Sequence, residues 1–463
     1  MFKSIIDRLF GRAGEVSHRR SAIWDAASAG GSRLKNWPAP ATSPSTWWDN
    51  PILLRSRAEA EFKNNPLARR IVDCLVNAAW GASAINPQFA DKRIQTAWSR
   101  WTDGCDAAAR LDWCSLGALV LQTVIVSGEA FVRFVLDEGA PGVPLRLQAL
   151  GPEFLDVSRQ DGDTWAGIRY KGLKPEGYWL FKQSPALMTA DLSSVFVPAS
   201  DCLHIFRPIA PGAQRGQTWL APVLLVLKEL NEYLESSLVK AKIAALFCGY
   251  VQTPDGSNPL NAQDGAPSLE PGSMTRLRPG EVVEFSEPPG LENAFDPFVK
   301  AQMRRIAAGM GLPYELLSTD ISMTTFASGR LTLLELRRTV EMIQYGLLVP
   351  QFCAPVLRRW ALLARALGAT DGDAEVSRWI GPTVPMLDEG AEVRANIQKV
   401  RAGFSSRGEI VARDGWRIED VDAEIRVERD REERDGLVYD TNPAKTTLQG
   451  QQQKEPSDAS PTA

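Results

Sequence analysis

The chain has 463 residues, 44% of them hydrophobic and 23% charged, an ordinary globular composition with room for two or three compact units. Its formal net charge of -4 and pI near 5.6 lack the basic surplus of a protein that grips nucleic acid tightly; this argues against sequence-specific DNA binding and leaves loose contact with a passing duplex open. Six cysteines without a Cys-x-x-Cys pair, and His18 and His204 as the only histidines, give poor support to a zinc site and fit scattered reduced thiols in an intracellular protein.

Taken in chain order, residues 1–12 place Phe2, Ile5, Ile6, Leu9 and Phe10 on one face of a short helix, without the apolar core or cleavage site of a secretory signal. Residues 13–50, rich in Ala, Gly, Ser and Pro with Trp24, Trp37, Trp47 and Trp48, read as an extended arm whose tryptophans lie on the body or on a neighbouring subunit. Helical spacing covers 57–80, with Asn65-Pro66 as a helix start, and further helices are expected at 90–102 and 112–126, where Gly128 breaks the pattern. Strands are expected at 130–136, 145–150, 167–170, 178–181 and 202–206, separated by Gly, Pro and Asp, as in a small mixed or antiparallel sheet.

Residues 219–247 read as the longest helix, with Leu220, Leu224, Leu227, Leu234, Leu238 and Ala241 on one stripe and Lys228, Glu232 and Glu235 opposite. About 29 residues at 1.5 Å each make a rod of about 43 Å, against a usual helix of about 11 or 12 residues. Its most apolar part, 219–227, stops at Lys228 and is too short to span a bilayer, so the chain is expected to be soluble and cytoplasmic. A loop-rich excursion over 250–293 holds one strand-like run, 281–285, before helical spacing returns at 294–310 with Phe295, Phe298, Val299, Met303 and Ile306. Two rods thus flank a protruding lobe. A short helix and a polar loop, 318–329, follow, then helices at 329–346 and 349–367, with Pro350 in the first turn of the second. Residues 389–435 are helical and charged, a pattern that also fits a solvated face, and the polar tail after Tyr439 is expected to be disordered. The fold class is α+β, mainly helical.

Catalytic motifs are missing. No Gly-Lys pair exists to start a phosphate-binding loop, and no Gly-x-Ser-x-Gly elbow occurs. Gly309-Met310-Gly311 follows a helix and reads as its C-terminal cap. His204 sits in the strand pattern Cys-Leu-His-Ile-Phe, where a packed or hydrogen-bonded imidazole is expected rather than a catalytic base. The pairs Asp161/Asp163 and Asp371/Asp373 lie in Gly-containing turns. No catalytic residue, metal or cofactor is assigned.

Three blocks carry a resemblance. Residues 203–226 contain the turn Gln214-Arg215-Gly216 running into an apolar helix; 269–288 contain Pro279-Gly280-Glu281; and 304–322 contain Gly311-Leu312-Pro313-Tyr314-Glu315 followed by Asp320 and Ser322. Their order and spacing resemble the lambda-type phage portal proteins. Gly128-Glu129-Ala130-Phe131 and residues 386–416 add weaker similarity, extending the resemblance over roughly residues 50–436. Where the family has Asn-Tyr-Ser-Ser-x-Arg, this chain has Thr325 to Arg330 and keeps only Ser328 and Arg330.

The resemblance implies a non-enzymatic ring subunit, expected in twelve copies at one capsid vertex. Implied partners are the large terminase subunit, the major capsid protein and scaffold, head-tail connector proteins, and double-stranded DNA bound without sequence preference. The implied plan is an arm at 1–50, a wing at 51–217 and 313–385, stem helices at 218–248 and 294–312, a clip at 249–293, a crown at 386–436 and a tail at 437–463. A tunnel loop at 316–329 would bring Met323, Thr324, Thr325, Phe326, Ala327 and Ser328 to the DNA channel, unless Phe326 packs under the loop. Lys300, Arg304 and Arg305 would either touch phosphates weakly or bridge to acids of the adjacent subunit. The expected location is the virion, with the host cytoplasm during assembly; an active phage, a defective prophage and a gene-transfer particle fit equally. Two other classes stay open: a metal-dependent nuclease with scattered carboxylates, and a membrane-associated helical adaptor using the N-terminal segment.

Overall fold

The computed structural model describes residues 51–89, 91–185, 191–245, 249–252, 282–285, 295–322, 324–368, 376–384, 388–413, 416, 418–437 and 439. The expected arm at 1–50, most of the lobe at 249–293 and nearly all of the tail lie outside these residues, as do Asp371 and Asp373.

The helical stretch expected at 57–80, with a helix start at Asn65-Pro66, is two helices, α1 (Pro51–Asn64) and α2 (Pro66–Ala79). Asn65 divides them: its side-chain oxygen accepts the N–H groups of Leu67 at 2.9 Å and Ala68 at 3.4 Å, and Pro66 takes the first position, where no donor is needed. Strand β1 (Asn86–Phe89) precedes α3 (Lys92–Thr102) and α4 (Trp113–Ser127). Asp91 and Asp112 cap the two helices, and Gly128, with φ of 93°, ends α4 as its sequence position predicts.

Strand β2 (Glu129–Leu136) lies between β3 (Leu145–Leu150) and β8 (Cys202–Phe206), both antiparallel to it. A second antiparallel sheet takes β4 (Thr164–Trp165), β5 (Ile168–Lys171), β6 (Lys174–Phe181) and β7 (Ser194–Pro198) in chain order. Phe131 of β2 joins Leu155, Ile168, Tyr178 and Val197 in a small core at the second sheet. The sequence reading missed β1, β4 and β7: β4 has two residues, β1 is Asn-Pro-Gln-Phe, and the Val195-Phe196-Val197 run of β7 does not alternate.

Helix α5 (Leu224–Ala245) has 22 residues and starts later than the expected 219. Residues 219–223 form turns instead, with Leu224 N–H bonded to Leu220 C=O at 3.0 Å. Pro222 is the reason: it lacks an N–H and disfavours a helical Ala221. Of the lobe, β9 (Gly249–Gln252) and β10 (Val282–Phe285) are described and pair antiparallel; β10 matches the expected strand-like run. Helix α6 (Phe295–Met310) returns beside α5, and Tyr233 meets Phe295 and Phe298 at ring separations of 5.8 and 4.9 Å.

After α7 (Tyr314–Ser318), helix α8 (Phe326–Ile343), a π-helical segment (Gln344–Cys353) and α9 (Ala354–Ala366) form one continuous rod, 40 residues long from Ala327 to Ala366. Two expectations are corrected here. The loop runs from 319 to 325, so Phe326, Ala327 and Ser328 belong to the first turn of α8. The two helices expected at 329–346 and 349–367 are joined, because the wide π turn accommodates Pro350: Ala354 N–H reaches back five residues to Val349 C=O. The rod is also long and apolar enough by composition to cross a membrane, which the sequence reading overlooked; half of its most apolar window is buried inside the fold.

Trp98, Trp101 and Trp113 of α3 and α4 pack with Trp80, Phe352 and Trp360 at the centre of the main core, with Trp98–Trp360 rings 5.3 Å apart and Trp113–Phe352 stacked at 4.8 Å. Strand β11 (Val376–Ile380) pairs antiparallel with β1. Helices α10 (Glu389–Arg401), α11 (Arg407–Arg413) and α12 (Ile418–Asp435) fill the stretch expected to be helical and charged.

Candidate functional site

The first block meets the Gly128-Glu129 segment at a buried charge cluster. Glu129 opens β2, and its side chain is fully buried, as is that of Arg215. Arg215 donates from Nε to both carboxylate oxygens, at 2.9 and 2.8 Å, and a further bond joins its Nη2 to Oε1. His204 Nε2 lies 2.8 Å from Glu129 Oε2, the Gly216 N–H donates to the same oxygen at 3.2 Å, and Arg55 of α1 approaches Oε1 at 3.5 Å. Arg215 also donates to the Ala166 carbonyl at 3.3 Å, which ties the turn to the second sheet. Burial pushes the Glu129 carboxyl up, but Arg215 and the hydrogen bonds from His204 and Arg215 outweigh it and hold the carboxyl well below the usual range. Burial likewise lowers the basicity of His204, against the pull of Glu129.

The glycines around this pair are fixed by contact. A Cβ on Gly216 would lie 2.1 Å from the Gly128 carbonyl oxygen, and one on Gly128 would lie 2.5 Å from the backbone of Gln217. The expected packed or hydrogen-bonded His204 is found, its ring stacked on Phe131 at 4.4 Å. Gln214 is exposed. The share of Arg55 was missed, though the sequence did contain a signal for the cluster: a glutamate inside the apolar run Glu129-Ala130-Phe131-Val132 needs a buried partner.

The third block forms a second constellation. Gly311, with φ of 66°, ends α6, and the Leu312 N–H returns to Ala307 C=O at 3.0 Å, the cap expected from the sequence. Pro313 then starts α7, and Arg70 of α2 pins that helix by donating to the Leu316 carbonyl at 3.0 Å. Asp320 organises the loop behind it. It accepts from the Ser322 N–H at 3.1 Å and hydroxyl at 2.6 Å and from the Tyr314 hydroxyl at 3.4 Å, and it lies 3.7 Å from Lys300. Those Ser322 bonds, aided by Lys300, hold its carboxyl below the usual carboxylate range. Lys300 also pairs with Asp296 at 2.8 Å, and Arg304 sits 5.2 Å over the Tyr314 ring. Lys300 therefore engages acids of its own chain, and Arg304 an aromatic ring of its own chain. Arg305 and Arg330 are exposed and Glu315 is partly buried.

The loop ends in a capping box: Thr325 Oγ1 accepts the Ser328 N–H at 3.3 Å, and Ser328 Oγ accepts the Thr325 N–H at 3.0 Å. Ser328, one of the two residues kept from the resembled pattern, thus has a local role. Thr324 is half-buried, Ile321 is 74% exposed, and Ala327 is exposed. Met323, Pro279, Gly280 and Glu281 lie outside the described residues.

Nothing catalytic gathers at either place. Among the described residues no group of three His, Cys, Asp or Glu side chains could hold a metal ion. Cys105 and Cys202 are buried thiols pushed up to about 12 by burial, which leaves them poor nucleophiles.

Comparison with known proteins finds similarity to phage portal proteins. The model of the phage portal proteins of the lambda family matches residues 30–344. The "Probable portal protein" of Halomonas phage phiHAP-1 is 26% identical over 342 residues, which cover 66% of this chain and 64% of that protein, somewhat under two thirds of its length. Portal protein B of Escherichia phage lambda is 21% identical over 392 residues, covering 70% of this chain and 72% of its own. Among solved structures, a chain in the neck of a native GTA particle computed with C12 symmetry aligns with a TM-score of 0.48 at 18% identity, over 79% of this chain and 92% of its own.

Proposed function

The chain belongs to the lambda family of phage portal proteins, and we propose that it is the subunit of a ring, expected in twelve copies, through which double-stranded DNA enters and leaves a capsid. The observation that carries the ring is a set of apolar side chains left in solvent on the long helices: Leu225, Leu238 and Val239 of α5, Phe298 of α6, and Leu331 and Met342 of α8. Apolar surface of this kind on neighbouring rods is what adjacent copies would cover. On this reading α5 and α6 make the stem, residues 249–293 the clip, residues 386–436 the crown, and the loop at 319–325 faces the channel.

The proposed role is structural and non-enzymatic, and it needs weak grip. A net charge of -4 and a Lys300 already neutralised by its own chain suit a wall along which phosphates slide. Arg304, Arg305 and Arg330 are exposed cations on the helices that flank the loop. The ring would dock the large terminase subunit and later the head-tail connectors, and would sit among the major capsid protein and scaffold, in the host cytoplasm during assembly and at the capsid vertex of the virion.

Negative-stain imaging of the purified full-length chain tests this. An annulus with a central hole is the expected result. A stable monomer that never closes into a ring would overturn the proposal, and metal-dependent DNA cleavage by that monomer would favour a nuclease.

A further inference from the structure

The second sheet has a core of its own. Ile168, Tyr178, Leu180 and Val197 pack on Phe131 and Cys202 of the first sheet in a cluster separate from the main core. A unit resting on a small core opens at lower free energy than the body that carries it. A polar strap crosses the same seam, the hydrogen bond from Arg215 Nη1 to the Ala166 carbonyl. It holds a strained point. Ala166 and Gly167 make the two-residue turn between β4 and β5, and both are left-handed, with φ of 46° and 83°. Turns of this kind favour Asn-Gly, and an alanine in the first position crowds its Cβ against the next carbonyl.

A second guanidinium waits at the carboxylate that holds Arg215. His204 and the Gly216 N–H lie on Glu129 Oε2, whereas Oε1 is approached by both arginines, closely by Arg215 and at 3.5 Å by Nη2 of Arg55. The Nε of Arg55 is buried and has no hydrogen-bond partner, a donor whose desolvation is uncompensated in this arrangement. We propose that Glu129 is the pivot of a two-position switch. In the position seen here Arg215 holds the carboxylate and straps the second sheet. In the other, Arg55 takes Oε1, Arg215 leaves the Ala166 carbonyl, and the strained turn relaxes as the sheet swings on its small core. The buried carboxylate keeps a cation in both positions, so the exchange strands no charge. The device lies within one subunit and stands whether or not rings form.

Native-state amide hydrogen exchange on the purified full-length chain tests the switch, with β5 and β6 read against α4 as an internal reference. Arg215→Lys keeps a cation for Glu129 but loses the fork that reaches Ala166, and is expected to speed exchange in β5 and β6 about tenfold while α4 is unchanged. Arg55→Met removes the alternative partner, so that opening would strand Glu129; exchange in the sheet is expected to slow about tenfold. Ala166→Gly relieves the strain and should slow it about fivefold. An Arg55→Met chain whose sheet exchanges faster than wild type or at the same rate, or that does not fold, would make Arg55 a plain support and overturn the switch. Equal acceleration of α4 in Arg215→Lys would overturn it as well, since the sheet would then have no opening of its own. Should Arg215→Lys fail to fold, the signs of the Arg55→Met and Ala166→Gly effects decide, and a sheet that does not slow in either overturns the proposal.

Discussion

Glu129 and Arg215 lie 86 positions apart in sequence and meet with neither side chain exposed. Both ions leave water to make the pair, so deleting one strands the other. Glu129→Gln is expected to cost about 3–5 kcal/mol, read as a lower denaturant midpoint at unchanged slope; a midpoint equal to wild type would contradict a buried pair. Adding Arg215→Met to Glu129→Gln should recover much of that loss, since the stranded cation is gone. His204 sets the pH response of the same cluster. Its folded basicity is lowered by burial, so the unfolded chain takes a proton near the ordinary value of about 6.5 while the folded chain resists it. Stability should therefore fall as the pH drops below about 6.5, and His204→Gln should flatten that slope between about pH 6.5 and 5 in denaturation curves. The contribution of Glu129, whose carboxyl is lowered, is complete above about pH 4.3 and erodes only below it.

Helix ends and turns govern the next scale. Thr325→Ala removes the acceptor for the Ser328 N–H and should cost about 1 kcal/mol, seen as faster amide exchange in the first turn of α8 with the remainder of the rod protected. Lys300→Ala should release Asp320 and speed exchange at Ser322 and Thr324 while rings still form; unchanged exchange would mean that the 3.7 Å pair does not hold the loop. Elements of this size were legible wherever local chemistry decides them. Asn65-Pro66, Gly128 and Gly311 marked their boundaries in the sequence because each has one dominant backbone role. The rod of α8 and α9 was not legible, because Pro350 reads locally as a helix start and only the surrounding core makes the π turn worthwhile. The site was half legible for a similar reason. Arg215, Gly216 and Asp320 stood out as motif residues, but the partnership of Arg215 with Glu129 is long-range, and nothing local to Lys300 points to Asp320.

At the level of the whole molecule, the exposed helical faces and the in-chain pairing of Lys300 separate two roles for the cations of α6. The acids that Lys300 meets belong to its own chain, so bridges to a neighbour are not needed to satisfy it. Replacing Lys300, Arg304 and Arg305 with alanine is therefore expected to leave ring formation intact and to reduce DNA retention in filled particles; failure to assemble, seen by imaging, would assign these side chains to the subunit contact instead. The unbroken course from Ala327 to Ala366 has a mechanical corollary. Its head adjoins the Thr325 cap, its middle holds the Phe206 amide through Gln351 at 3.0 Å, and its far end grips Asp201 through Arg359 at 3.0 Å. A continuous rod has no intervening loop to absorb a bend, so the wide turn around Pro350 is where it yields first.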